Sequence, residues 1–185
     1  FSTSGYNTSN INNYYNMNIR IAEHRDIDDV LAIMDMARRY QRTIGFSQWV
    51  DGYPNREIIN ADIKSGNAFV FIIENRVVGY VVLQIGDNAY DMLIDTWQYE
   101  GSYGVAHRLA FDDLIRGKGY SQIAFQLIES NFMNRGVMSL RIDTGEQNVV
   151  MHHILDRAGY TNLGVKLFPW GRRVAYEKKI LLNYD

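Results

Sequence analysis

The sequence predicts an α/β protein in which a central sheet is covered by helices on both faces. Apolar residues alternate with a period of two in some segments and recur at helical spacing in others, and the two kinds of segment succeed one another along the chain. The composition is ordinary for a globular protein, with 46% hydrophobic and 22% charged residues. A length of 185 residues favours one domain rather than two.

The periodic patterns begin at Met17 and define the predicted elements one after another. Asp26 is a short polar residue before a run of apolar residues at helical spacing, so we expect it to be the N-cap of the first helix. Glu74, Asn75 and Arg76 separate two β-rich runs, which predicts a hairpin. In chain order we predict a strand at 19–23, helices at 26–45 and 56–64, strands at 68–73, 77–85 and 103–111, a helix at 121–135, a strand at 139–143, a helix at 148–158, and strands at 161–168 and 173–181.

The first sixteen residues differ from the rest of the chain. They carry no charge and are rich in Asn, Ser, Thr and Tyr, and they lack the basic and apolar regions of a secretory signal. We therefore expect residues 1–16 to be a flexible leader or the remnant of a tag, and residues 17–185 to form a single domain.

Charge and cysteine content exclude several classes of function. A net charge of −2 at pH 7 provides no general attraction to nucleic acid or to an anionic membrane, and no run of eighteen apolar residues is present to span a bilayer. The absence of cysteine excludes disulfides, thiolate catalysis and Cys-based metal sites, and no other metal-ligand spacing occurs. We expect a cytoplasmic protein with no metal, no nucleic-acid partner and no membrane association.

A glycine-containing loop lies between a predicted strand and a predicted helix. Gly117 and Gly119 allow an anion to approach the backbone, and the helix N-terminus presents free N–H groups with a partial positive charge. Arg116 and Lys118 add formal charge. The loop predicts a phosphate site, with a basic turn before a helix as the alternative. It is not a P-loop, which requires Ser or Thr in place of Gly119, nor a Rossmann fingerprint, which requires Gly or Ala in place of Gln122.

In their order and spacing, the motifs resemble the GNAT superfamily of acetyl-CoA-dependent N-acetyltransferases, in a bacterial branch of unassigned acceptor. The superfamily motif is Arg or Gln, two residues, Gly, one residue, then Gly or Ala; Arg116, Gly119 and Ser121 occupy these positions, and Ser121 departs from the pattern. The family's second element is a strand and then a helix that begins with Asn and ends in a Gly–aromatic pair, as do Asn148 and Gly159-Tyr160. The resemblance runs from Met17 to Leu182, with further matches at 45–49, 52–54, 62–63 and 107–108.

The resemblance implies a fold and a cosubstrate. GNAT proteins have a mixed, mostly antiparallel sheet in which two adjacent parallel strands splay apart, and the pantetheine arm of acetyl-CoA enters the gap. Strand backbone would contact the pantetheine arm on one side, and a side-chain amide would contact it on the other. The N–H groups of the glycine loop would bind the pyrophosphate. The implied cofactor-binding residues are Leu109, Ala110, Phe111, Arg116, Gly117, Lys118, Gly119, Tyr120, Ser121 and Asn148.

The implied reaction is direct attack of an amine on the thioester of acetyl-CoA, which requires that the amine lose a proton. His107, on the strand beside the expected acetyl group, is a candidate base, although a half-buried structural histidine explains it equally well. Many relatives carry a tyrosine that protonates the departing thiolate, but Leu155 stands at that position. His152 precedes Leu155 by about one helical turn on the same face and is the candidate replacement.

The implied acceptor is a small-molecule or peptide amine whose class the sequence does not distinguish, and a homodimer is one expected assembly. A non-catalytic acyl-CoA-binding module, acting as a sensor or regulator, is the alternative function, and an unrelated phosphate-binding protein is a third. Aromatic and acidic side chains could line an acceptor groove, although aromatic residues are mostly core. These candidates are Trp49, Tyr53, Tyr90, Trp97, Tyr103, Asp91, Asp95 and Glu100.

Overall fold

The structure is a computed structural model that describes residues 16–46, 48–49 and 52–180. Residues 1–15 of the predicted leader, position 47 of the family match at 45–49, and the chain end at 181–185 lie outside the described residues. The described strands are β1 (Met17–Ile21), β2 (Ala68–Ile73), β3 (Arg76–Ile85), β4 (Tyr103–Phe111), β5 (Ser139–Thr144), β6 (Thr161–Phe168) and β7 (Gly171–Lys179). The helices are α1 (Ile27–Thr43), α2 (Arg56–Lys64), α3 (Asn88–Asp91), α4 (Tyr120–Asn134) and α5 (Val149–Arg157), with short 3-10 helices at His24–Asp26 and Asp113–Ile115.

All seven strands form one sheet in the order β1-β2-β3-β4-β5-β7-β6. Every neighbouring pair is antiparallel except β4 and β5, which run parallel. The predicted hairpin joins β2 to β3. Its two turn residues, Glu74 and Asn75, have φ angles of 48° and 64°, and a type I′ hairpin turn requires positive φ at both positions. The expected mixed, mostly antiparallel sheet is confirmed.

The parallel pairing of β4 and β5 is short. Tyr103 pairs with Ser139, and the pairing ends where Val105 meets Arg141. Both strands then continue to their ends without pairing to each other. The two strands therefore splay apart, as the resemblance implies, and backbone groups along the gap lack a sheet partner on that side.

A β-bulge in β4 lies beside this gap. The register with β3 shifts between His107 and Ala110, so that Arg108 and Leu109 together oppose one residue, Val81. Arg108 has a φ angle of 53°, a left-handed conformation that is uncommon outside glycine. A bulge bends its strand and changes the direction of the neighbouring side chains. His107 and Arg108 therefore leave the strict alternation of a regular strand.

Each face of the sheet has its own hydrophobic core. Helices α1 and α2 cover one face, where Val30, Ile59 and Tyr80 are fully buried. Helices α4 and α5 cover the other face, where Phe125 and Leu155 are buried. Helices on both faces were predicted, and this is confirmed. Of the helices described, none is both long enough and apolar enough to cross a bilayer.

Most predicted element boundaries agree with the structure to within a few residues. The ranges of α2, β2, β4 and β6 are those predicted, whereas β1 begins and ends two residues earlier than the predicted 19–23. The sequence shows no pattern for α3, because four residues are too few to display a helical period. Its N-cap is nevertheless a typical one, since Asp87 accepts a hydrogen bond from the Ala89 N–H at 2.8 Å.

Asp26 precedes α1 as predicted, but its side chain does not cap that helix. The carboxylate instead accepts hydrogen bonds from the Glu23 N–H at 2.8 Å and from both Nη atoms of Arg20 at 2.8 and 2.9 Å. The hydrogen bonds from Arg20 are the main reason that the pKa of Asp26 lies below its usual value. A nearby guanidinium has therefore replaced the helix as the partner of this carboxylate.

Candidate active site

A cavity of about 550 Å³ opens in the gap between β4 and β5. Its wall includes residues 106–111 of β4 and 142–144 of β5. Phe125, from the core under α4 and α5, and Trp49, from the core on the opposite face, both line it. The cavity therefore passes through the sheet and connects its two faces.

The loop of residues 116–119 leads toward α4 and contains two glycines in left-handed conformations. Gly117 has a φ angle of 71° and Gly119, the N-cap of α4, has a φ angle of 81°. A Cβ atom built on either glycine would meet no atom within 4 Å in the described part of the chain. Within that part, no side chain caps α4 either, so the N–H groups of its first turn are open to an anion. The loop has the space and the donors that a diphosphate needs.

Arg116 and Lys118 are held differently. Arg116 Nη2 donates to Asp113 Oδ1 at 2.9 Å and to the carbonyl oxygen of Phe111 at 3.2 Å. Its guanidinium carbon lies 3.9 Å from the ring centroid of Tyr40 on α1, which is a cation–π contact. Lys118 is exposed and forms no ion pair with any residue in the described ranges. Lys118 is therefore the cation that the loop offers to a ligand, while Arg116 braces the loop against α1.

The second wall of the cavity is formed where β5 leads into α5. Asn148 Oδ1 accepts a hydrogen bond from the Met151 N–H at 3.2 Å, and Asn148 Nδ2 donates to Thr144 Oγ1, also at 3.2 Å. The amide that the resemblance assigns to pantetheine therefore caps α5, and Asn148 lines the cavity. One N–H of the amide satisfies Thr144, which leaves the other for a ligand.

His107 lines the cavity and is paired with Asp87. His107 Nε2 lies 3.0 Å from Asp87 Oδ2, and Asp87 also accepts from Gln84 Nε2 and from the Ala89 N–H, both at 2.8 Å. The hydrogen bond with His107 is the main reason that the pKa of Asp87 lies below its usual value, although burial opposes the shift. An ionised Asp87 accepts the Nε2–H of a neutral imidazole, which leaves the lone pair on Nδ1. The pair can therefore orient His107 as a base.

Asp143 joins three further side chains on the same wall. Its Oδ1 accepts from the Tyr90 hydroxyl at 2.5 Å, and its Oδ2 accepts from Trp170 Nε1 at 3.2 Å and from Arg173 Nε at 2.7 Å. Burial, with the charge of Asp143, raises the pKa of Tyr90 well above its usual value, so the hydroxyl stays a donor. The rings of Tyr90 and Trp170 meet the ring of His107 edge-on, with centroids 6.0 and 6.4 Å away. We call Asp87, His107, Asp143, Trp170 and Arg173 the polar cluster.

Comparison with known proteins identifies the family. Residues 31–160 match the family model described as the acetyltransferase (GNAT) family. This chain belongs to the GNAT acetyltransferases. A GNAT family acetyltransferase from Streptococcus agalactiae is 34% identical to it with a TM-score of 0.79, and the match covers 90% of this chain and 96% of that one.

Two further solved structures share the GNAT fold at lower identity. An N-acetyltransferase from Thermoplasma acidophilum, solved in complex with coenzyme A, has a TM-score of 0.69 at 14% identity, over 88% of this chain and 98% of that one. A GNAT family acetyltransferase from Listeria monocytogenes has a TM-score of 0.67 at 20% identity, over 88% and 94%. At these identities the likeness concerns the fold alone. Comparison with curated proteins gives no match.

Of the two predicted catalytic histidines, only His107 lines the GNAT cavity. His152 Nδ1 lies 2.6 Å from the Tyr176 hydroxyl oxygen, and its Nε2 lies 3.2 Å from the carbonyl oxygen of Glu146. Leu155, at the position of the family tyrosine, is 0% exposed and belongs to the core under α4 and α5. Helical spacing placed His152 and Leu155 on one face correctly, but it could not show that this face packs against β7 rather than against a ligand.

The predicted acceptor groove is only partly realised. Trp49 and Tyr53 line the cavity. The other three aromatic candidates pack in a third core cluster with Phe168, which is the core alternative for them; they are Tyr90, Trp97 and Tyr103. None of the acidic candidates, Asp91, Asp95 and Glu100, is among the described residues that line the cavity.

Sequence reasoning missed most of the polar cluster. Asp87, Asp143 and the pair Trp170 and Arg173 come from three separate segments, and no local spacing relates these segments to each other or to His107. The one available signal was the N-cap pattern at Asp87, which predicts a helix start and not a contact with His107. Within the described ranges, no group of three or more potential metal ligands comes together.

Proposed function

We propose that this GNAT protein transfers an acetyl group from acetyl-CoA to the nitrogen of a primary amine by direct attack. The observation that carries the proposal is the gap that opens beyond Val105 and Arg141 into a cavity of about 550 Å³. Unpaired strand N–H and C=O groups along such a gap suit an extended arm that contains amides, as pantetheine does. The cysteine-free sequence is compatible with a reducing compartment, and we place the reaction in the cytoplasm.

The loop at 116–119 supports one orientation of the cosubstrate. Open space at Gly117 and Gly119, the first-turn N–H groups of α4 and the unpaired charge of Lys118 all favour a diphosphate at residues 116–121. The pantetheine arm would then run along the backbone of 109–111, opposite Asn148. This arrangement directs the thioester toward the polar cluster, which lines the same cavity.

The chemistry requires a neutral amine. An alkylammonium with a pKa near 10.4 is neutral in only about one molecule in 10³ at pH 7. In the proposal, His107 Nδ1 accepts the proton from the amine, directly or through a water molecule, while Asp87 holds the ring through Nε2. The neutral amine nitrogen bonds to the thioester carbonyl carbon, the C–S bond breaks, and coenzyme A leaves as a thiolate. The acylated nitrogen then loses its extra proton to solvent, which gives the neutral N-acetyl amide.

The departing thiolate has no acid at the position where relatives carry a tyrosine, because Leu155 is buried there in the core. A free thiol has a pKa of about 8.5, so the thiolate is an adequate leaving group without an acid. We therefore assign no acid to the protein in this step. The thiolate takes up its proton from solvent after it has left.

The test is an assay of thiol release from acetyl-CoA with a panel of amines that includes amino acids, polyamines, aminoglycosides and peptide N-termini. We expect one class to raise thiol release well above the background of acetyl-CoA hydrolysis, with formation of the N-acetylated product confirmed by mass spectrometry. Calorimetry on the same preparation measures the affinity for CoA.

A second candidate, a non-catalytic acyl-CoA-binding module, is favoured by one observation. The residue at the family's acid position is the buried Leu155, so the cavity lacks one catalytic group that relatives use. The same experiment separates the two functions. Tight CoA binding without turnover of any amine class would support the binding module and overturn the acetyltransferase.

A further inference from the structure

Three of the described arginines line the cavity, and they differ in how many of their N–H groups the protein uses. Arg108 donates hydrogen bonds from Nε, Nη1 and Nη2. Arg116 donates from Nε and Nη2, and its face is covered by a tyrosine ring. Arg173 donates from Nε alone, to Asp143 at 2.7 Å. Arg173 thus keeps the Nη1 and Nη2 edge of its guanidinium unused.

The unused edge belongs to a largely buried residue that lines the cavity. Arg173 is only 8% exposed, and its Nη1 and Nη2 have no hydrogen-bond partner among the described residues. Both atoms are nevertheless accessible, since Ser139 Oγ is the only fully buried side-chain N or O atom without a partner in the described ranges. Arg173 lines the cavity and is otherwise buried, so the cavity is the place where a ligand would reach these donors.

The surroundings of Arg173 prevent the protein from satisfying this edge itself. Asp143 already accepts from Tyr90, Trp170 and Arg173 Nε. At the neighbouring Gly145, a Cβ atom would lie 2.5 Å from the ring of Phe46 and 3.4 Å from Arg173 Nη1. The Phe46 ring and the Arg173 guanidinium therefore both lie beside Gly145. Polar groups in such a place gain most from a partner of opposite charge.

We propose that the acetyl acceptor carries a carboxylate that Arg173 binds through Nη1 and Nη2, and that the acceptor is a free amino acid. This inference rests on the proposed function, because it names the acceptor of the same reaction. A planar guanidinium edge with two parallel donors matches the two oxygens of a carboxylate. A diamine or a peptide N-terminus offers no carboxylate close to its amine.

The polar cluster places the two recognition groups on one wall. The Trp170 ring meets the ring of His107 edge-on, and Trp170 Nε1 shares Asp143 Oδ2 with Arg173 Nε. His107, which would receive the amine proton, and Arg173, which would hold the carboxylate, are thus both neighbours of one indole. One acceptor that carries both an amine and a carboxylate could therefore meet both groups on this wall.

The test compares a set of L-amino acids with the corresponding L-amino acid amides, in which a neutral amide replaces the carboxylate, with the rates compared per fraction of neutral amine. We expect the wild-type enzyme to favour the acids by about 10- to 100-fold in kcat/KM, which is the contribution of hydrogen bonds to a charged group. The Arg173→Gln variant should lose this preference because kcat/KM falls for the amino acids, whereas kcat/KM for the amides should hardly change.

Two further variants control the experiment. Arg173→Lys keeps the charge beside Asp143 but lacks the two parallel N–H donors of a guanidinium. It should therefore fold and retain only part of the preference for acids over amides. Arg172→Gln removes the adjacent arginine, which is exposed and paired with Glu146 at 3.0 Å, and it should leave the preference unchanged. Thermal melting of each variant separates loss of folding from loss of recognition.

The outcomes separate this inference from the proposed function. If wild type acetylates amides as well as acids, or if the preference survives in Arg173→Gln, the inference is wrong while the proposed function stands. Weaker CoA binding in Arg173→Gln would also overturn it, because Arg173 would then serve the cosubstrate.

If no amine is acetylated, the proposed function fails, and calorimetry with N-acetylglycine and N-acetylglycinamide in the presence of CoA decides the carboxylate site. Tighter binding of the acid, lost in Arg173→Gln, supports the site, and equal binding overturns it.

Discussion

The loop at 116–119 and the polar cluster are built from different kinds of group. The loop at 116–119 offers mainly backbone: two left-handed glycines, the open first turn of α4 and one unpaired lysine. The polar cluster consists of side chains that reach the cavity from β4, β5, the segment before α3, and the β6–β7 hairpin. The loop thus depends on local conformation, whereas the polar cluster depends on contacts between distant segments.

This difference has a consequence for evolution and for mutagenesis. A backbone site tolerates most side chains nearby but not a change at its glycines, because only glycine adopts these φ angles without strain. A site made of side chains can be changed one residue at a time. Substitutions in the loop and in the polar cluster should therefore affect different steps of the reaction.

The largest effect is expected in the polar cluster. His107→Gln should lower the rate of acetyl transfer by about 10²- to 10⁴-fold, the usual contribution of a general base. The affinity for CoA should hardly change, because that site rests on backbone groups elsewhere. Single-turnover rates and calorimetry measure the two quantities.

His153→Gln is the matched control, because His153 is exposed on α5 and does not line the cavity; its rate should equal that of wild type. A near-normal rate per folded molecule in His107→Gln would show that His107 is not the base. The proposed acetyl transfer would survive that result, since it rests on the strand gap and the loop.

A smaller effect is expected in the loop, on the affinity for CoA rather than on the rate. Gly119→Asp places a negative charge where the phosphates belong, and CoA should bind about 10- to 100-fold more weakly. The rate at saturating acetyl-CoA should change little. Calorimetry with CoA gives the affinity, and the pH can be kept constant because the introduced carboxylate is ionised at pH 7.

Gly136→Asp controls for backbone strain in this experiment. Gly136 lies just beyond the other end of α4, with a φ angle of 75° and no described atom within 4 Å of a Cβ. It should destabilise the protein to a similar extent and leave CoA affinity unchanged. Equal CoA affinity in wild type and folded Gly119→Asp would refute the assignment of the pyrophosphate to the loop.

The smallest effect concerns stability against acid. The pKa of Asp87 is lowered by the fold, so its carboxylate stabilises the protein above the usual value of 3.8, and this contribution is lost as the pH falls through the lowered pKa. Asp87→Asn should therefore cost about 1 kcal/mol in the free energy of unfolding at pH 7. The difference from wild type should shrink below pH 4 (about the pKa of an unperturbed aspartate).

Urea unfolding at pH 7 and at several values below pH 4 measures this difference. Asp113→Asn is the control from the loop, where the exposed Asp113 pairs with Arg116 at 2.9 Å; it should change stability by less than about 0.5 kcal/mol. A difference between wild type and Asp87→Asn that does not vary with pH would contradict the role of this carboxylate.

The sequence predicted the loop and missed most of the cluster for one reason. Gly117, Gly119 and the start of α4 are neighbours in the chain, so their arrangement follows from local rules for glycine and helix ends. His107 was found through a family resemblance, but its partner Asp87 lies 20 positions away. His152 shows the limit of helical spacing, because its face packs against Tyr176.

The sequence by itself determined the order of the strands and of the longer helices, the apolar faces of those helices and the glycine loop before α4, since these depend on periodicity and on residues close together in the chain. Only the tertiary structure decided that β4 and β5 part after Val105, and that Asp87, Asp143 and Arg173 meet at one wall. Asp143 lies 30 positions from Arg173 and 53 from Tyr90. Contacts over such separations depend on how the whole sheet is assembled, and a single sequence carries no periodic signal for them.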